Sequence, residues 1–96
     1  MKINELRPGL NNVALTAKIV ELSEPRQINT KFGTTTTLTE ATLSDESGRI
    51  KLALWGQQSE GIAEGATVEV KGGFVKEFKG ESQLGIGRGG SIAVVE

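Results

Sequence analysis

Residues 45 to 56 read Asp45-Glu46-Ser47-Gly48-Arg49-Ile50-Lys51-Leu52-Ala53-Leu54-Trp55-Gly56, and this stretch decides how the chain folds. It opens with a turn in which Gly48 occupies a position that usually requires a positive φ. The residues that follow alternate, which predicts a strand whose side chains point to opposite faces in turn. The aliphatic residues on one face must point into a core: Ile50, Leu52 and Leu54. Trp55, the only tryptophan, then shares the other face with Arg49, Lys51 and Ala53.

The length and composition predict a small all-β protein. The chain has 96 residues, and a domain with a single core needs about 100, so we expect one domain over residues 1–96. Thirteen glycines, two prolines and 36% hydrophobic residues indicate many turns and favour strands over helices. No apolar run is long enough for a membrane span, and the N-terminus has no signal-peptide pattern. We therefore expect an intracellular, cytoplasmic protein.

The missing residue types exclude several kinds of chemistry. Without cysteine or histidine, the chain has no disulfide framework, no zinc site of the usual ligands and no imidazole-activated nucleophile. The acidic pair Asp45-Glu46 is interpreted as part of a turn rather than as a catalytic pair. Residues 85–90 satisfy the pattern G-x-G-x-x-G, but a strand-like segment follows where a dinucleotide site needs a helix. The sequence thus predicts neither an enzyme nor a cofactor.

Alternation and turn residues predict the order of the strands. The predicted strands are residues 12–22, 34–44, 49–55, 67–79 and 82–87, with a final short strand at 92–95 after a glycine-rich bend at 87–90. The phase of the alternation changes near Ile19 and again at Gly72-Gly73, which predicts a bulge at each place. A short helical segment is expected between the third and fourth strands, within residues 56–62. This pattern is typical of a five-stranded OB-fold, a Greek-key barrel, and an SH3-like barrel or another β-sandwich is the alternative.

Two further aromatic residues are predicted to lie on the outside of the barrel. If the bulge at Gly72-Gly73 turns Val75 inward, then Phe74, Lys76 and Phe78 share the outer face, with Lys79 in the following turn. Aromatic rings among cations suit single-stranded nucleic acid, since bases stack on the rings and cations meet the phosphates. The alternatives are that the barrel core takes up the rings, or that they form a protein interface. Because the net charge is only −1, binding to nucleic acid must rely on such a local patch.

The segment between the first two long strands is a candidate binding loop. No acidic residue lies between Glu24 and Glu40, whereas Arg26 and Lys31 give the segment a local charge of +2. Ile28 and Phe32 accompany these cations. The segment is either a loop that contacts a ligand or a hairpin that tucks Ile28 or Phe32 into the core.

Three segments of the sequence resemble a known family in order and spacing. They are Arg26-Gln27-Ile28-Asn29-Thr30-Lys31, the stretch from Asp45 to Gly56, and Phe74-Val75-Lys76-Glu77-Phe78-Lys79-Gly80. The chain is similar along nearly its whole length to the archaeal single-stranded DNA-binding proteins with one OB-fold of the replication protein A type. Members commonly have tryptophan where this chain has Phe74. Many also carry a glycine- and arginine-rich or acidic C-terminal tail, so we interpret the chain as a tailless member or the trimmed domain.

The resemblance implies a set of residues that bind single-stranded DNA. It assigns base stacking to Trp55, Phe74 and Phe78. It also implicates the loop between the first two long strands. With the other cations included, the expected contacts to the DNA backbone and from the loop come from Arg26, Ile28, Thr30, Lys31, Arg49, Lys51, Lys76, Lys79 and Arg88.

These residues predict a protein that binds single-stranded DNA largely without sequence preference, in DNA replication, repair and recombination. No metal, cofactor or membrane is expected to take part, and a nucleoid-associated monomer is favoured. Two alternatives stay open. The domain could instead dock a protein partner as a subunit of a larger assembly, or it could bind single-stranded RNA, which offers the same stacking and phosphate chemistry.

Overall fold

The computed structural model describes residues 2–29, 31–56 and 61–95, without the side chains of Phe78 and Arg88. The described elements are a 3₁₀ turn at Ile3–Glu5 and the strands β1 (Val13–Leu22), β2 (Arg26–Asn29), β3 (Thr35–Asp45), β4 (Gly48–Trp55), β5 (Thr67–Phe78) and β6 (Glu81–Val94). None of the helices in these ranges has the length and apolar character needed to cross a bilayer.

Five of the strands form a closed barrel. The strands lie in the order β1-β5-β6-β4-β3, and β1 also pairs with β3, which closes the barrel. The β4–β6 pair is parallel, and the other pairs are antiparallel. This arrangement is the predicted OB-fold. The sixth strand, β2, pairs only with β3 and lies outside the closed barrel.

The alternating strand residues fill the barrel, as predicted. Ile50, Leu52 and Leu54 of β4 are 7%, 0% and 0% exposed. The side chains that are fully buried with them come from every barrel strand: Val13, Ile19, Leu43, Val68, Val70 and Leu84. Burying an aliphatic side chain of this size stabilises a fold by about 1.5 to 3 kcal/mol. Burial of the aliphatic face of each strand therefore determines which residues lie on the outer face.

Both predicted bulges are confirmed. The β1–β3 register shifts between Ile19 and Glu21, and the β5–β6 register shifts between Lys71 and Gly73. Gly72 has a φ of 69°, a conformation that glycine adopts without steric cost. After this bulge Val75 is 3% exposed and points into the core, so Phe74 and Lys76 lie on the outer face.

The structure decides one alternative about the strands and overturns one prediction. Residues 26–29 form a hairpin with β3, which was one of the two alternatives, although Ile28 is only half-buried and Phe32 is exposed. The glycine-rich stretch at 87–90 does not separate two strands, because β6 runs without a break from Glu81 to Val94. The β5–β6 ladder absorbs the extra residues by pairing Lys71 with Ser91 and Gly73 with Ile86.

The physical reason for the continuous strand is the close approach of two glycine segments. A Cβ atom at Gly72 would lie 2.8 Å from the Cα atom of Gly90. Side chains would keep these backbones apart, so the glycines allow β6 to pass the bulge. The predicted helical segment at 56–62 includes residues 57–60, which lie outside the described residues.

The β3–β4 turn anchors the N-terminal segment to the barrel. The Asp45 Oδ2 atom accepts a hydrogen bond from the Ile3 backbone N–H at 2.9 Å. Its Oδ1 atom accepts from the Ser47 N–H at 2.6 Å, the Ser47 hydroxyl at 2.5 Å and the Gly48 N–H at 3.1 Å. Ile3 and Leu6 are buried in the core cluster, so this carboxylate holds the N-terminal segment against the core.

Asp45 is expected to make stability depend on pH in the acid range. Burial raises the pKa of Asp45, but the four hydrogen bonds from Ser47, Ile3 and Gly48 outweigh it and lower the pKa below 3.8. A lowered folded-state pKa means that the stabilisation is complete above the unfolded value and is lost as the pH falls through the folded value. Asp45→Asn should therefore cost about 1 to 2 kcal/mol of unfolding free energy at neutral pH, measured by urea denaturation, and this cost should shrink in acid.

Glu46→Gln is the matched control, since Glu46 forms an ion pair with Lys2 and both side chains are exposed. Such surface pairs contribute at most about 1 kcal/mol. Equal losses for the two variants at neutral pH would contradict the proposed anchor.

Candidate nucleic-acid interface

Trp55 lies at the end of β4 on the outer surface of the barrel. Its side chain is 39% exposed, as the alternation of β4 predicts. Leu38 of β3 pairs opposite Trp55, and Arg26 of β2 pairs opposite Leu38. The three residues therefore form one row across β4, β3 and β2, and the hairpin formed by β2 and β3 makes a wall beside the indole ring.

Phe74 lies on the other side of β6 from β4. Gly85 of β6 pairs with Phe74 of β5 on one side and with Ala53 of β4 on the other. A Cβ atom at Gly85 would lie 2.6 Å from Cζ of the Phe74 ring, so the ring packs directly over this glycine and is half-buried. The predicted outward position of Phe74 is confirmed. Gly85 was not among the residues predicted from the sequence, and its lack of a side chain leaves room for the ring.

A groove of about 550 Å³ runs along the outer surface from Trp55. Its lining residues come from β2, β3, β4, β5, β6 and the β5–β6 turn: Arg26, Ile28, Leu38, Glu40, Lys51, Ala53, Trp55, Lys76, Lys79, Glu81, Ser82 and Gln83. Ala53 is on the outer face but only 3% exposed, because it lies at the bottom of the groove. The small side chain at this position deepens the surface next to Trp55.

The groove is more positive than the protein as a whole. Four of the predicted contact cations line it with two carboxylates, whereas the whole chain carries a net charge of −1. Lys51, Lys76 and Lys79 are exposed. Arg26 forms an ion pair with Glu40 across β2 and β3. An anionic strand would thus meet cations on both sides of the aromatic surface.

The hairpin formed by β2 and β3 carries the predicted loop residues. Ile28 is half-buried and lines the groove. Phe32 is 83% exposed, so it does not occupy the core, and the Nζ atom of Lys31 lies 6.0 Å from its ring centroid. This distance is at the outer limit of a cation–π contact. The loop therefore presents an aromatic ring and a cation beyond the end of the groove.

Arg49, unlike the other predicted contact cations on β4 and β5, does not line the groove. Arg49 lines a second, larger cavity of about 680 Å³ next to Ile3 and Asn4, at the opposite end of β4 from Trp55. Lys51 lines both spaces. The smaller groove is the better candidate for base stacking, because none of the described residues that line the larger cavity is aromatic. Thr30 and the side chains of Phe78 and Arg88 lie outside the described residues.

The family model of single-stranded DNA-binding proteins described as Ssb-like with an OB fold matches residues 6–94. The chain belongs to this family. The Single-stranded DNA binding protein Ssb of Saccharolobus solfataricus is 41% identical over 92 residues, which cover 96% of this chain and 62% of that relative. The chain thus spans less than two thirds of the relative's length. The family resemblance predicted from the three sequence segments is confirmed, and the family is one of DNA-binding proteins rather than a class of enzymes.

Solved structures agree with the fold. The second OB-fold domain of replication protein A from Methanococcus maripaludis superposes with a TM-score of 0.84 at 27% identity, covering 100% of this chain and 94% of that domain. The OB domain of Ta0387 from Thermoplasma acidophilum gives a TM-score of 0.85 at 22% identity, covering 100% of this chain and 86% of that one. The fold is therefore that of replication protein A-like OB domains, and these solved relatives come from archaea.

Proposed function

We propose that this chain binds single-stranded DNA as a single OB-fold domain over residues 1–96, largely without sequence preference. The observation that carries the proposal is the exposed Trp55 ring at the end of a groove lined by four cations. The 41% identical relative named as a single-stranded DNA-binding protein supports it. A stacked base would cover the indole ring while its phosphates face the groove cations.

The division of roles within the groove follows from charge and position. Trp55 lies two residues beyond Ala53 on β4, and Phe74 pairs with Gly85, the β6 partner of Ala53. Successive bases would stack on these two rings, with Phe78 as the third ring. The cations that line the groove would contact phosphates: Arg26, Lys51, Lys76 and Lys79. Ile28, Thr30 and Lys31 would contact the strand from the β2–β3 hairpin. Arg49 would add charge outside the groove, and Arg88 is proposed as a further contact to the strand.

In this proposal the chain acts by binding alone and catalyses no reaction. It would coat exposed single strands inside the cell, at the nucleoid, during replication, repair or recombination. Duplex DNA is a poor ligand for such a surface, since stacking on protein rings needs bases that are already splayed apart.

Titration with oligo-dT tests the proposal directly. We expect quenching of Trp55 fluorescence and a site near the low end of the range of about 4 to 16 nucleotides found per OB-fold. If each of the four groove cations neutralises one phosphate, the slope of log affinity against log salt should be roughly −3, from about −0.7 per contact on single strands. An RNA oligomer of matching sequence serves as the competitor that separates DNA from RNA binding. No quenching with any oligonucleotide would contradict the proposal.

A further inference from the structure

Glu40 lies next to the place where a base would stack on Trp55. It pairs opposite Ala53, and Leu38, which is two residues away on the same face of β3, pairs opposite Trp55. All four residues line the groove. The Glu40 side chain therefore extends from β3 over the bottom of the groove. There it would lie beside the edge of a base that is stacked on the indole ring.

The Glu40 carboxylate is held in this position. Its Oε1 atom accepts a hydrogen bond from Nη2 of Arg26, and its side chain is 33% exposed. The backbone is fixed as well, because the Glu40 N–H donates to the Ser23 hydroxyl at 2.9 Å and the Ser23 N–H donates to the Glu40 carbonyl at 2.8 Å. A side chain anchored at both ends presents its carboxylate to the groove in a defined place.

An ionised carboxylate selects what can lie against it. It only accepts hydrogen bonds, and it repels a phosphate through like charge, so the nucleotide should turn its base edge rather than its backbone toward Glu40. Cytosine offers an amino group, N4, at its edge, and carboxylates accept from this group. Thymine and uracil carry the O4 carbonyl at the same position, and this oxygen and the carboxylate are both acceptors.

We propose that Glu40 makes the groove favour bases with an exocyclic amino group over thymine and uracil, by accepting a hydrogen bond from the base stacked on Trp55. The inference rests on the proposed binding of single-stranded DNA and adds a modest base preference to it. Glu40 is thus a specificity-determining residue, while stacking and phosphate contacts supply the affinity that all bases share.

Oligo-dC and oligo-dU of equal length test the preference at neutral pH, since the two bases have rings of the same size and differ only at position 4 and at the neighbouring N3, which is an acceptor in cytosine and a donor in uracil. Oligo-dT is measured alongside to show the effect of the thymine methyl group. Using the anisotropy of labelled oligonucleotides, we expect the intact chain to bind dC about 3- to 10-fold more tightly than dU. In Glu40→Gln the ratio should fall to near one, because the amide both donates and accepts hydrogen bonds.

Glu81→Gln is the matched control, because Glu81 lines the same groove but pairs opposite Phe78, away from the Trp55 row. It removes the same charge, so the affinity for both oligomers should rise together and the dC-to-dU ratio should persist. A ratio near one in the intact chain, or a ratio unchanged by Glu40→Gln, would overturn the inference while leaving the proposed function standing. Failure of all three oligomers to bind would instead overturn the proposed function.

Discussion

Replacing Trp55 with alanine is expected to weaken binding of single-stranded DNA about 10- to 100-fold, since stacking of a base on an aromatic side chain contributes about 1 to 3 kcal/mol. Trp55 is 39% exposed and lies outside the barrel core, so the fold should survive the removal of its side chain. The neighbouring cations of the groove stay in place, and the residual affinity should therefore keep most of its salt dependence.

The measurement for Trp55→Ala must use the anisotropy of a labelled oligonucleotide, because the variant loses the only tryptophan. Trp55→Phe is the control variant, which keeps an aromatic ring and should recover much of the lost affinity. Circular dichroism should show the same strand content in all three proteins. If Trp55→Ala binds as tightly as the unmodified chain, stacking on β4 does not drive binding.

Replacing Gly72 with alanine is expected to destabilise the fold by about 2 to 4 kcal/mol. Gly72 has a φ of 69°, and a residue with a Cβ atom in this left-handed region costs about 1 to 2 kcal/mol. The new Cβ atom would also lie 2.8 Å from the Cα atom of Gly90, so the backbones of β5 and β6 would have to move apart. Contacts of this kind are among the causes of unusually large destabilisation.

Gly89→Ala separates the cost of the positive φ from the cost of the close contact between the two backbones. Gly89 has a φ of 81°, but a Cβ atom there would have no neighbour within 4 Å, so only the conformational cost of about 1 to 2 kcal/mol applies. Urea denaturation of both variants measures the difference. Equal losses would show that the close approach of the two backbones does not constrain the bulge.

The Gly72 bulge also affects the proposed DNA-binding surface. The register shift between Lys71 and Gly73 sets which residues of the second half of β5 face outward. A strand without the bulge would turn Phe74 inward and Val75 outward, since adjacent strand residues point to opposite faces. Loss of the bulge should therefore weaken DNA binding as well as stability, and this links the fold to the proposed site.

The sequence alone was enough to predict the core faces and the exposed tryptophan. Alternation in β4 is a local property, because each side chain's direction follows from its neighbours along the strand. Changes of phase in the alternation predicted the bulges at Ile19 and Gly72-Gly73. The turn at Lys79-Gly80 is also local, and both residues have positive φ values of 53° and 82°, as a two-residue hairpin turn requires.

Only the tertiary structure decided which distant residues meet. Gly85 leaves space for the Phe74 ring because β5 and β6 pair in one register, and Glu40 binds Arg26 because the hairpin brings β2 against β3. Arg49 and Lys51 look equivalent in the sequence, yet only Lys51 reaches the aromatic groove. Alternation fixes the face on which a side chain lies, whereas its neighbours across the sheet depend on pairings between strands far apart in the chain, which local periodicity does not encode.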